Sequence, residues 1–286
     1  MIKIVTDSGS YLPPDFVSGR GIEVVPLKVH FGDDEVYDEI TGISSRAFYE
    51  RLKTKTVFPT TSQPPAGEFK AAYERAAQAG ADHILVITLS GKLSGTFSSA
   101  TTAATMLSGT PITLFDSLSL GLGVGLMVAA ASDMALAGDE LPRVMQRLEQ
   151  MRRDMQILVM LDTLEYVRHG GRIGAASALI GQVLKFKPIL SVTGGVLKPH
   201  HNVRTKRRAI QSLLDGARAA IPNLAAPVQL AAMHAAAEAD MTMLVGQLTA
   251  MFGNIQRLMT GELGPAIGAH TGPGTVAVGI CPIPPL

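Results

Sequence analysis

The sequence predicts a two-lobed α/β protein. An N-terminal lobe, residues 1–160, is expected on a mostly parallel sheet with flanking helices, and a C-terminal α/β lobe, residues 161–286, on a mixed, partly antiparallel sheet. Three observations predict this. Short β-branched runs alternate with amphipathic stretches through the first half, the pattern of strands joined by crossover helices. From about Ile157 the pattern changes, and Thr193-Gly194-Gly195 separates two short apolar runs as a hairpin turn would. The chain is 286 residues long with 47% hydrophobic and 17% charged residues, enough to bury a large core and too apolar for disorder.

Taken in order, Ile2–Thr6 reads as a strand and Ile22–Phe31 as one or two more. Ser45–Lys53 and Ala66–Ala79 carry helical periodicity, the second entered through Pro64-Pro65. Ile84–Leu89 is a compact apolar strand, Ser94–Leu107 a small-residue helix and Ile112–Phe115 a strand. Gly121–Ala137 and Glu140–Arg153 follow as helices, and Ile157–Leu161 as a strand where the lobes meet, near residues 155–165, without linker composition. Ile173–Leu184 reads as a helix, and Pro188–Val192 with Val196–Pro199 as the hairpin. Lys206–Ala220, Glu238–Phe252 and Gly264–Ala269 then read as helices, and Gln229–His234, Asn254–Gly261 and Thr275–Cys281 as strands.

Composition removes several functions. With 25 basic and 24 acidic residues there is no charge excess to draw nucleic acid or an anionic membrane. The short basic run Arg204–Arg208 reads as a solvated face. The single Cys281 forbids an internal disulfide and fits a reducing compartment. Asp7 interrupts the start before any apolar signal segment forms, so a soluble, cytoplasmic protein is expected. The most apolar stretch, Leu120–Ala137, contains Ser132 and Asp133 and suits a buried helix better than a membrane span.

In parallel α/β sheets ligands sit beyond the carboxyl ends of strands, where helix N-termini offer free N–H groups. Thr6-Asp7-Ser8, Ser94-Gly95-Thr96 and Asp116-Ser117 fall at such places. With Thr61-Ser62-Gln63-Pro64 and His270-Thr271-Gly272-Pro273-Gly274-Thr275, the chain offers hydroxyls, an imidazole and glycine-freed amides, but neither an acidic pair nor a metal-ligand cluster. That set can hold a carboxylate or another small anion and is poorly equipped to break bonds. Each piece also has a plain structural reading, as a helix cap, a turn or a core histidine. Gly91-Lys92-Leu93-Ser94-Gly95 lacks the spacing of a nucleophile elbow, and no phosphate-binding Gly-rich loop with Lys-Ser or Lys-Thr is present. Gly121-Leu122-Gly123-Val124-Gly125 lacks a third glycine at the spacing a dinucleotide loop requires and reads as close helix packing. Arg168-His169-Gly170-Gly171-Arg172 is a helix C-cap, or sets Arg172 at the rim of a pocket.

Together these residues resemble the DegV family, whose members include the fatty-acid-binding subunits of bacterial fatty acid kinase. The resemblance spans the chain and is carried by Thr6-Asp7-Ser8, Thr61-Ser62-Gln63-Pro64, Leu93-Ser94-Gly95-Thr96, Gly170-Gly171-Arg172-Ile173, Lys187-Pro188-Ile189-Leu190, Val203-Arg204-Thr205 and His270-Thr271-Gly272-Pro273-Gly274. It implies a long-chain fatty acid held within the fold, with Thr61 and Ser94 on its carboxylate, Gly95 and Thr96 in the same loop, and His270 and Arg172 close by. It also implies a substrate-presenting subunit without catalysis or cofactor of its own, partnered by an ATP-dependent fatty acid kinase. A serine esterase using Ser94 and His270, a small-molecule kinase and a lipid-sensing regulator are the alternatives.

Overall fold

The first half of the chain runs β1 (Ile2–Asp7), α1 (Pro14–Arg20), β2 (Glu23–Val25), β3 (Lys28–Phe31), β4 (Glu35–Asp38), α2 (Ser45–Thr54), β5 (Thr60–Ser62), α3 (Ala66–Gln78), β6 (His83–Thr88), α4 (Thr96–Ala104), β7 (Ile112–Asp116), α5 (Leu122–Leu136) and α6 (Leu141–Asp154). The second half runs β8 (Gln156–Met160), α7 (Glu165–His169), β9 (Lys187–Thr193), β10 (Val196–Val203), α8 (Lys206–Ala220), β11 (Val228–His234), α9 (Glu238–Met251), β12 (Ile255–Glu262), α10 (Pro265–Thr271) and β13 (Val276–Pro282). The structure, a computed structural model, describes residues 1–54, 57–179 and 186–283.

Three sheets organise these elements. The first, β2-β1-β6-β7, is parallel throughout, as the strand–helix alternation predicts. The second, β10-β9-β8-β13-β11-β12, is mixed: only β11 and β12 run parallel. The hairpin expected at Gly194-Gly195 joins β9 to β10, with φ of +61° and +85° at the two glycines. A two-residue hairpin turn of the kind that matches strand twist needs positive φ at both positions. The strand at the expected lobe boundary, β8, pairs with β9 and β13 and so belongs to the second sheet.

The third sheet, β4-β3-β5, is small and antiparallel and has no counterpart in the sequence reading. Thr61-Ser62, expected in a turn, forms part of β5 opposite Val29 and Lys28. Three polar residues have no alternation to betray a strand; pairing with β3 alone makes them one. The run Ile22–Phe31 splits into β2 and β3, which enter different sheets. Of the helix expected over Ile173–Leu184, residues Gly174–Leu179 form a 3₁₀ turn, and residues 180–185 lie outside the described residues.

The layers follow from which faces are apolar. α3 and α4 cover one face of the parallel sheet and α8 and α9 one face of the mixed sheet. Between the sheets lies α5, touching β1 and β6 on one side and β11 and β13 on the other. A helix apolar on every side belongs in such a place. Its glycines permit the approach: a Cβ at Gly125 would stand 2.6 Å from the Ser10 carbonyl oxygen, and one at Gly123 2.6 Å from the Ile157 side chain. Close packing, as the sequence suggests, accounts for this glycine repeat. Among the described residues no helix is long and apolar enough to cross a membrane.

Candidate functional site

A cavity lies in the same middle layer as α5, where the carboxyl ends of the parallel strands face the mixed sheet. It encloses about 760 Å³ of empty space, counting its open mouth. Its wall is apolar: Leu27 before β3, Leu89 after β6, Leu120 before α5, Val159 and Leu161 of β8 and its end, Leu190 of β9, Leu197 of β10, and Ile267 of α10. At one end the wall turns polar, with Thr61, Ser62, Gln63, Ser94, Arg172 and His270. An elongated ligand with one polar end matches such a lining.

Four of the six residues singled out by sequence therefore meet on one cavity wall: Thr61 from β5, Ser94 from the loop before α4, Arg172 from the turn after α7, and His270 from the last turn of α10. The other two do not line it. Thr96 is fully buried behind Ser94, its Oγ1 2.8 Å from Ser94 Oγ. Gly95 packs against Gln63, and a Cβ there would come within 2.9 Å of that amide carbon. Ser94 Oγ also accepts the Thr96 N–H at 3.3 Å, closing a turn at the start of α4, so it is a turn residue as well as a wall residue.

His270 is defined by its surroundings. Nε2 stands 2.7 Å from Thr61 Oγ1, while Nδ1 is buried with no partner. Burial, reinforced by the neighbouring Arg172 charge, pushes its pKa down from 6.5 to about 4, so the ring is neutral at physiological pH. We assign the neutral tautomer with the proton on Nε2, because an unpaired N–H is costlier to bury than an unpaired lone pair. The Nε2–H then donates to Thr61, whose own O–H is free to turn into the cavity. Gly170 makes this placement possible, since a Cβ there would lie 2.0 Å from His270 Nδ1. Sequence reading takes that glycine for a helix cap; its contact with a residue 100 positions away leaves no local signal.

Arg172 is held by two carbonyls, Nε donating to Leu93 at 3.1 Å and Nη1 to Gly170 at 2.7 Å. Among the described residues these are its partners, and no carboxylate neutralises it. Its charge is thus offered to the polar end of the cavity. The acids expected near strand ends have other tasks. Asp7 accepts the Leu89 and Gly9 N–H groups at 2.8 and 3.0 Å, and Asp116 those of Gly91 and Leu118 at 3.1 and 3.0 Å. Both shape loops, and neither lines the cavity.

A second group missed by sequence reading sets α10 in position. Glu39, buried, accepts hydrogen bonds from Tyr11 Oη at 2.8 Å and from the Ala266 N–H at 2.7 Å, and also from Ser8 Oγ. Burial raises the Glu39 pKa, against these donors, which lower it. Glu39 meets the otherwise unpaired Ala266 N–H in the first turn of α10, four residues before His270, and Tyr11 Oη accepts the next, from Ile267, at 3.0 Å. Nothing local in Asp38-Glu39-Ile40 reveals a partner more than 200 residues distant.

The geometry speaks to the chemistry. Ser94 Oγ pairs with Thr96, and His270 Nε2 with Thr61, so no hydroxyl–imidazole pair activates Ser94. Among the described residues no cluster of histidine, cysteine and acidic side chains could hold a metal ion.

Comparison with known proteins gives a consistent result. The DegV family model, described as uncharacterised protein of that family, matches residues 1–282. Protein DegV of Bacillus subtilis is 35% identical over 284 residues, 98% of each chain, and a DegV domain-containing protein of Streptomyces coelicolor 37% identical over 277 residues, 97% of each. Among solved structures, the fatty-acid-binding DegV family protein from Thermus thermophilus superposes with a TM-score of 0.93 at 34% identity, over 99% of both chains. DegV of Bacillus subtilis, a fatty acid binding protein, superposes with a TM-score of 0.90 at 32% identity, again over 99% of both. With the family model covering nearly its whole length, the chain belongs to the DegV family.

Proposed function

We propose that this protein binds a long-chain fatty acid and presents its carboxylate to a separate ATP-dependent fatty acid kinase for acyl phosphate formation. The observation that carries the binding half is the cavity itself: a leucine- and valine-lined space ending in the hydroxyls of Thr61, Ser62 and Ser94, a neutral imidazole and a guanidinium with no carboxylate partner among the described residues. Each buried methylene contributes about 0.8 kcal/mol gross, so the tail supplies affinity and the polar end supplies orientation. Association and ordering costs remove a good part of that sum. In this reading Thr61 and Ser94 donate to the carboxylate, Arg172 balances its charge, and His270 aims the Thr61 hydroxyl. Fatty acid binding by the Thermus and Bacillus relatives supports the same ligand class.

The presentation half rests on the family resemblance and on the absence of an activated nucleophile at Ser94. Two experiments test the halves separately. Titration of delipidated protein with palmitate is expected to show saturable binding that Ser94→Ala and His270→Ala each weaken while the fold survives; undiminished binding in both variants refutes the head-group site. Mixed with ATP and an ATP-dependent fatty acid kinase, the loaded protein is expected to yield acyl phosphate. Equal yield without it refutes presentation and leaves binding standing. Turnover of short acyl esters by the protein alone, abolished in Ser94→Ala, would instead establish an esterase.

A further inference from the structure

A second, smaller cavity lies further along the same face of the mixed sheet. It encloses about 350 Å³ of empty space, and its floor is Ile157 of β8 and Val192 of β9, with Met127 and Met155 at its sides. The first cavity stands on Val159 and Leu190 of the same strands. Side chains two apart on a strand share a face, so the second cavity lies one pleat repeat, roughly 7 Å, further on. Val159 pairs with Leu190, and one repeat further on that face Ile157 and Val192 share the second floor.

The two cavities also share a roof and a wall. The loop after β7 covers both, Leu120 over the first and Ser117, Leu118 and Ser119 over the second. Leu197, which lines the first, is the cross-strand neighbour of Val192, which lines the second. That roof is fixed rather than slack. Leu118 is held at φ +48°, a left-handed conformation unusual for leucine, with its N–H donated to Asp116 Oδ1 at 3.0 Å. Two methionines at the side are unbranched and adapt to irregular apolar occupants. The lining is mixed rather than wholly apolar: Ser117 and Ser119 are buried in the roof, Ser119 Oγ without a partner among the described residues, and Arg152 and Gly194 complete the wall.

We propose that the second cavity receives the methyl end of the longer acyl chains, so that Val192, Ile157, Met127 and Met155 set the length preference. The inference rests on the fatty-acid reading above, and on continuity of the sheet face that floors both spaces. Val192 is the residue to change, because it lines the second cavity and not the first. Each methylene transferred to an apolar site is worth about fourfold in affinity, so two or three of them amount to roughly 15- to 60-fold.

The test is the dissociation constant of delipidated protein for saturated fatty acids of twelve to twenty carbons, compared between wild type and Val192→Phe. The expected result is unchanged affinity for the twelve-carbon acid and a loss of 15-fold or more for the eighteen-carbon acid. Length profiles that run parallel in the two proteins overturn the inference while leaving fatty acid binding intact. No binding of any chain by the wild type overturns the fatty-acid reading itself. A probe independent of any substitution is an eighteen-carbon acid with a diazirine at its last carbons, photolysed on the wild-type protein. Label on Met127, Met155 or Val192 supports the second cavity; label confined to Val159, Leu161 and Leu190 overturns it.

Discussion

Replacing Thr61 by valine removes one oxygen and keeps the shape, and its consequences can be worked out from two contacts. Among the described residues Thr61 Oγ1 is the one partner of His270 Nε2, at 2.7 Å, and His270 Nδ1 has none. Valine suits β5 at least as well as threonine, so the strand pairing with Val29 is retained. The buried N–H left behind costs about 1–3 kcal/mol of stability, and a lost hydrogen bond to a charged ligand group about 1.5–3 kcal/mol of binding. The latter is a rise of roughly 10- to 150-fold in the Kd for palmitate. Urea unfolding measures the first quantity and calorimetric titration of delipidated protein the second. Thr61→Ser, which keeps the hydroxyl, is expected to recover most of both. A folded Thr61→Val protein that binds palmitate within twofold of wild type would show that this hydroxyl does not hold the head group.

Other consequences follow from the same contacts. Gly170→Ala places a carbon 2.0 Å from His270 Nδ1 and is expected to displace the imidazole, weakening palmitate binding by tenfold or more with secondary structure unchanged by circular dichroism. Glu39→Ala leaves the Ala266 N–H unpaired, takes the acceptor from Ser8 Oγ and leaves the Tyr11 hydroxyl only the Gly264 carbonyl at 3.3 Å, and should lower stability by about 3 kcal/mol in chemical unfolding. The depressed pKa of His270, about 4 against 6.5 when unfolded, means the unfolded chain takes up a proton that the folded one refuses. Its contribution is complete above pH 6.5 and declines as pH falls toward 4. Asp7, raised to about 7 mainly by burial, works in the opposite sense over its own window, its contribution declining as pH rises from 3.8 toward 7. Comparison with His270→Gln cancels the shared Asp7 term: between pH 7 and 5 the wild type should lose about 2 kcal/mol more than the variant. Gly246, exposed in the interior of α9 with open space around its α-carbon, is expected to raise the melting temperature when replaced by alanine, by about 0.5–1 kcal/mol of stability.

Much of this molecule can be read from its chain, and the divide is physical. The parallel sheet, α5 and the Gly194-Gly195 hairpin are local patterns, each set by periodicity or turn chemistry within about 20 residues. Thr61, Ser94, Arg172 and His270 stand out as polar residues where a helix or strand ends, and the fold gathers them on one wall. The small third sheet is different. β4 and β5 are four and three residues long, with no apolar alternation of their own, and exist because β3 pairs with both. Glu39 under α10 and Gly170 beside His270 are likewise invisible, because each acts across more than 90 residues of chain. Sheet order belongs to the same class: nothing local says that β8 lies between β9 and β13. Thr96 shows the opposite error, a hydroxyl in the right motif that faces its neighbour Ser94 rather than the cavity.

The most direct test is to purify the protein without added lipid, denature it, and analyse the organic extract by mass spectrometry. A long-chain fatty acid present at close to one molecule per chain is the expected result, and its length would report on both cavities at once. An extract empty of fatty acid, from a protein whose melting temperature also fails to rise when a fatty acid mixture is added, would contradict lipid binding as its function.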